Sequence, residues 1–105
     1  MFRWGGKVAV GNFNYSSSSK VSINIGFKPK YLCIRAAANE TSVGTAYIYD
    51  ERFSTTNMLR TSTGAYLQSA ALGGSTDGRL YSINSDGFTM NKVSTSLLGS
   101  YFAIG

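Results

Sequence analysis

Residues 21 to 35 constrain the fold more than any other stretch of the chain. They read Val-Ser-Ile-Asn-Ile-Gly-Phe-Lys-Pro-Lys-Tyr-Leu-Cys-Ile-Arg. Val21, Ile23, Ile25 and Phe27 alternate with smaller or polar residues, the period of a strand with one buried face. Seven residues in that state span roughly 23 Å. Pro29 then fixes its own φ and pushes Lys28 out of the helical region. It has no N–H to donate, so it belongs at a strand start or edge. Tyr31-Leu32-Cys33-Ile34 follows as a continuous apolar run, the pattern of a strand covered on both faces. Two strands joined by a stiff bend leave no room for a helix.

The rest of the chain repeats this theme. Twelve glycines are spread along 105 residues and cut the chain into short pieces. Between them Val, Ile, Thr, Tyr and Phe dominate, as strands prefer. Residues 7 to 15 put Val8 and Val10 on one face, with Gly11 or a bulge resetting the register toward Phe13 and Tyr15. In residues 45 to 50, Ala46 and Ile48 point one way, Tyr47 and Tyr49 the other. Residues 53 to 67 read as a long polar excursion with short strands and isolated apolar anchors, among them Tyr66. The Gly73-Gly74-Ser75-Thr76-Asp77-Gly78 cluster is a turn. Asn84-Ser85-Asp86-Gly87 is a reversal in which Asp-Gly tolerates positive φ. The last eight residues but one are apolar enough to be tied into a sheet. The expected fold is all-β: a compact antiparallel β-sandwich, jelly-roll-like, with about seven or eight short strands and little or no helix. Residues 1–105 form a single domain, with residues 1–6 as a candidate attachment arm.

Composition narrows the chemistry. There is no histidine, which removes the commonest general base and metal ligand. Cys33 is the single cysteine, so neither an internal disulfide nor a standard structural zinc site is expected. Its apolar surroundings fit a small buried hydrophobe. The five carboxylates, Glu40, Asp50, Glu51, Asp77 and Asp86, each sit in or beside a turn and read as solvated. The adjacent Asp50 and Glu51 would face opposite sides of a strand, which does not suit a carboxylate pair. The serine run at residues 16 to 19 has no base to activate it. No enzyme activity, cofactor or metal is expected.

Net charge is +5, from ten Lys and Arg against five Asp and Glu. The basic residues are scattered rather than gathered in a stripe, so nucleic acid is not the expected partner. No run approaches the 18–20 or so apolar residues of a membrane helix, and no signal peptide is read at the start. Synthesis in a cytoplasm follows as the expectation. Tyr47 and Tyr49 have two readings. They form an aromatic platform for a sugar or a protein, or they pack between sheets or subunits, and packing is favoured. Trp4 is the third candidate contact residue.

Four short segments in order carry a family resemblance: Gly26-Phe27-Lys28-Pro29-Lys30-Tyr31, Ala46-Tyr47-Ile48-Tyr49-Asp50, Asp86-Gly87-Phe88-Thr89-Met90 and Tyr101-Phe102-Ala103-Ile104-Gly105. Together they span about residues 20 to 105. The chain resembles a group of bacteriophage tail-fibre and virion-surface β-domains. That resemblance implies a non-enzymatic virion structural protein, assembled in the host cytoplasm and exposed on tail, fibre or capsid as decoration. It implies other virion proteins as partners and a homo-oligomer, with a trimer as one form. The alternative it leaves open is a carbohydrate-binding module for a host cell-surface glycan, contacted by Tyr47 or Tyr49. The chain has no shaft, coiled coil or collagen-like repeat, so attachment falls to its own surface or to Phe2-Arg3-Trp4.

Overall fold

A computed structural model of the chain describes residues 6–16, 19–39, 44–61, 67–93 and 96–105. Trp4, Glu40 and Tyr66 lie outside the described residues, as does the proposed arm apart from Gly6. Nine strands and no helix occur among the described residues: β1 (Val8–Tyr15), β2 (Val21–Asn24), β3 (Tyr31–Ala37), β4 (Thr45–Asp50), β5 (Asn57–Thr61), β6 (Leu67–Ala71), β7 (Leu80–Asn84), β8 (Gly87–Met90) and β9 (Leu97–Ile104). All neighbours pair antiparallel, in a six-stranded sheet β1-β9-β3-β4-β5-β6 and a three-stranded sheet β2-β8-β7. The polar excursion expected after residue 53 contributes the hairpin β5–β6, which brings the number of strands to nine.

The inner face of the large sheet packs on the small sheet. Leu32 and Ile34 of β3, Met58 of β5, Leu80 of β7, Phe88 and Met90 of β8, and Ala103 of β9 are fully enclosed. An aromatic cluster joins the layers. Phe88 meets Phe13 and Tyr101 edge-on, with ring centroids 5.9 and 5.5 Å apart, the geometry that the ring quadrupole favours. Val21, Ile23, Ile25 and Phe27 pack against this core as expected, but the seven-residue strand expected from Val21 is shorter: β2 ends at Asn24 and the chain turns at Gly26, whose φ is 86°. Pro29 is buried at the bend and its two lysines are exposed. The bend is tied down from both sides, since Lys30 N–H donates to the Ile104 carbonyl (2.7 Å) and Glu51 N–H to the Lys30 carbonyl (2.9 Å). The C-terminal strand is indeed held in the sheet, between β1 and β3.

Three local expectations are corrected. First, β1 carries no register reset. It pairs with β9 without interruption from Val8↔Ile104 to Tyr15↔Leu97. Phe13 and Tyr15 therefore share the inner face with Ala9 and Gly11, while Val8 and Val10 point outward. Gly11 is small for a reason: a Cβ there would lie 2.6 Å from the Tyr101 hydroxyl. Second, Gly87 is not among the glycines with positive φ. It opens β8 opposite Asn24, and a Cβ would lie 1.9 Å from the Ile23 carbonyl oxygen. Close approach of β2, rather than turn geometry, demands glycine there. Third, the apolar run of β3 is covered on one face only. Leu32, Ile34 and Ala36 are buried, whereas Tyr31 and Cys33 on the other face are half-buried.

Candidate interaction surfaces

Tyr47 and Tyr49 project from β4 into the core, 6% and 2% exposed. The strand alternates as expected, with Ala46 and Ile48 on the opposite face. The side chosen by the tyrosines is the inner one. The favoured reading, packing, is the one that applies, and the alternative of a glycan platform at Tyr47 and Tyr49 is corrected: both side chains are enclosed in the core. Burial pushes both phenols above the ordinary tyrosine range. Arg79 and Arg60 partly oppose this at Tyr47, while Glu51 and Asp50 add to it at Tyr49. Tyr49 also borders a cleft lined by Lys28, Glu51 and Tyr81.

Tyr81, half-buried on β7, is the aromatic that sequence reasoning missed. In β7, Leu80 pairs with Met90 and Ser82 with Thr89, so Tyr81 is the extra residue of a β-bulge. A bulge bends its strand and re-aims a side chain. Tyr81 is thereby turned to the wall between two clefts, the larger of about 610 Å³ and lined by Lys20, Ser75, Asn91 and Lys92. The Lys20 ammonium sits 4.5 Å from the Tyr81 ring centroid, a cation–π distance. The cleft wall is built rather than loose. Asn91 Nδ2 donates to the carbonyls of Gly74 (3.1 Å) and Thr76 (2.9 Å). Gly73 N–H donates to the Tyr81 carbonyl (2.8 Å). The sequence held no signal for this site, because a bulge is a property of two paired strands.

The second surface is the outer face of the large sheet. The pairings place Val10, Phe102, Cys33, Ile48 and Leu59 side by side, one from each of β1, β9, β3, β4 and β5. All five are apolar. The next row on the same face holds Val8, Ile104, Tyr31 and Asp50. Val8, Val10 and Phe102 are 51%, 67% and 39% exposed, and Cys33, Ile48, Leu59, Tyr31 and Ile104 are half-buried. The only charge in these two rows is Asp50, at the end of its row. Its carboxylate is held by Arg52 at 2.7 Å, and the hydrogen bond from that side chain keeps its pKa below the ordinary value despite some desolvation. The Cys33 thiol, set between Phe102 and Ile48, is pushed up by burial. Neutral and partly covered, it behaves as a small apolar group in the row. On the other side of this row stand Asn12, Ser100, Arg35 and Ala46.

Among the described residues no group of three or more Asp, Glu or Cys side chains comes together in a metal-binding arrangement. No described helix is long and apolar enough to cross a membrane. No family model matches the chain, and no curated protein or solved structure matches it significantly.

Proposed function

We propose that this chain is a non-enzymatic structural protein of a bacteriophage virion, exposed on the particle surface and acting through protein–protein contacts. The observation that carries the contact role is the five-strand apolar row on the outer face of the large sheet. Soluble monomers rarely leave contiguous apolar patches beyond a few hundred Å² in water, and larger ones mark interaction sites. The particle context rests on the resemblance of the four ordered segments to tail-fibre and virion-surface domains. The fold is compatible with the role, since a small β-sandwich can present whole sheet faces to a partner. Mass spectrometry of purified particles of the encoding phage tests the reading. The chain is expected at stoichiometric copy number, and particles that lack it refute the proposal.

A second reading is recognition of a host-surface glycan, now centred on Tyr81 rather than on Tyr47 and Tyr49. The bulge-presented ring, the nearby Lys20 and Lys92 and the adjoining clefts supply what a sugar site uses: one aromatic face and a few fixed polar groups. A titration with host wall polysaccharide tests it. Saturable binding that Tyr81→Ala abolishes favours this reading. No binding, or binding unchanged in Tyr81→Ala, excludes it.

A further inference from the structure

We infer that the outer face of the six-stranded sheet is a self-association surface, covered in solution by the same face of a second copy. The inference rests on the proposed contact role and names the partner. Its starting point is the one-sided burial of β3. An apolar run of this kind belongs to a strand with two covers, and the chain itself supplies one. The exposed row then continues across both neighbours of β3 and onto the strands beyond them, so the missing cover is a layer and not a single side chain.

Size, charge and symmetry point to a second copy. Five strands at about 4.8 Å spacing, over some seven residues of length, give a footprint of about 24 Å by 24 Å. That is roughly 600 Å² on each copy and 1,200 Å² in the pair, at the threshold of standard stable interfaces. The chain carries +5, yet the central row has no charge with which to attract an acidic partner. What it offers is an apolar strip, and an isologous contact needs the same strip on both sides. A two-fold axis running along the row stacks the strips at the usual 10 Å separation of packed sheets. It sets Val10, Phe102, Cys33, Ile48 and Leu59 each near its own symmetry mate.

The same axis exchanges the two flanking rows. Arg35 stands two residues along β3 from Cys33 on one side, and Tyr31 two residues on the other. Across the axis Arg35 of one copy therefore lies over Tyr31 of the other. It is one strand spacing from that copy's Asp50, since Tyr31 pairs with Asp50. The two Arg35 side chains are kept apart, by about four residues of strand. The axis thus sets Arg35 near the Asp50–Arg52 ion pair of the other copy, a polar margin outside the apolar centre of the kind that fixes register.

The test is sedimentation velocity on the full chain from about 1 to about 100 μM, a range set by the micromolar end of affinities for interfaces of this size. The expected result is a mass that rises with concentration from 11.3 kDa toward twice that value. Alkylation of Cys33 by a maleimide is expected to slow in step as the dimer forms. Phe102→Glu, which buries charge at the centre of the contact, is expected to weaken association by roughly 30-fold or more. Val10→Lys, at the most exposed position of the row, repeats the test where folding is least at risk, and circular dichroism verifies both folds. A chain that stays monomeric throughout overturns the inference. So does a dimer that persists in both variants, because it would use another surface such as the β1 edge. Neither result bears on whether particles contain the chain, so failure here is separable from failure of the virion reading.

Discussion

Tyr15→Phe exposes the energetics of the core through its pH dependence. The Tyr15 ring is buried beside Phe13, with centroids 5.4 Å apart. Its hydroxyl donates to the Gly78 carbonyl at 3.1 Å, a contact spanning 63 residues of sequence. Removing the hydroxyl leaves a buried carbonyl without that partner, which costs about 1–3 kcal/mol. Taking about 1.5 kcal/mol, and about 4–8 °C per kcal/mol for a domain near this size, Tm falls by roughly 6–12 °C at pH 7. Alkaline pH changes the comparison. Burial, with a smaller contribution from Tyr47, raises the Tyr15 phenol far above its ordinary value. The unfolded chain ionises this group near pH 10 and the folded chain does not, so the unfolded state binds fewer protons above pH 10. Stability from Tyr15 is fully present below pH 10 and is lost as pH rises toward the folded-state value. At pH 11 the loss is about 1.4 kcal/mol. The phenylalanine variant escapes it. The two melting curves, well apart at pH 7, therefore converge near pH 11, as followed by circular dichroism. Tyr31, Tyr47 and Tyr49 are also raised, but they are common to both proteins and cancel in the difference. A gap equal at pH 7 and pH 11 would refute the reasoning, because it would mean that Tyr15 ionises as readily in the folded protein as in the unfolded one.

Other substitutions separate close backbone approach from flexible contact. Gly87→Ala drives a methyl group into the Ile23 carbonyl and is expected to cost about 3 kcal/mol, the upper end of overpacking, read as a lower urea midpoint. Gly11→Ala meets the Tyr101 hydroxyl and the ring carbons beside it, side chain rather than backbone. It is expected to cost about 1–2 kcal/mol in the same assay, less than Gly87→Ala, since a side chain can shift where the backbone cannot. Phe88→Ala removes the ring at the centre of the aromatic cluster and is expected to cost about 3–5 kcal/mol, a large share of the roughly 5–15 kcal/mol a domain of this size holds. Arg52→Ala breaks the Asp50 ion pair, but the Arg52 side chain is 83% exposed, and Tm is expected not to move measurably.

What the sequence made legible was local. The alternation in residues 21 to 27, the bend at Pro29 and the reversal between β7 and β8 each follow from neighbours in the chain, and each is present. What it withheld depends on residues far apart. The inward turn of Tyr47 and Tyr49 is one such fact: alternation shows that they share a face, but not which face meets the second sheet. The outward turn of Val8 and Val10 is another. Read alone, valines ask to be buried, and a reset was expected so that all the large side chains of that segment could share one side. The β9 register forbids it, because uninterrupted pairing keeps the two-residue period. Tyr81 is a third, aimed by a mismatch between β7 and β8 that neither strand carries by itself.

Not every exposed apolar residue belongs to one surface: Phe53, in the turn after β4, is 71% exposed. Val8, Val10 and Cys33 nevertheless share the outer face of one sheet. The pairings align two of them with Phe102, Ile48 and Leu59 in one row, and set Val8 in the row beside it. The local pattern asked for two covers on β3, and the chain provides one. A conflict between local pattern and observed fold of this kind falls where function sits. The exposed row is therefore better explained as half of an interface than as an imperfect core. On that account, replacing Val10, 67% exposed, by lysine should leave the melting temperature of the isolated chain nearly unchanged and weaken its association, a separation that a core residue such as Phe88 cannot show.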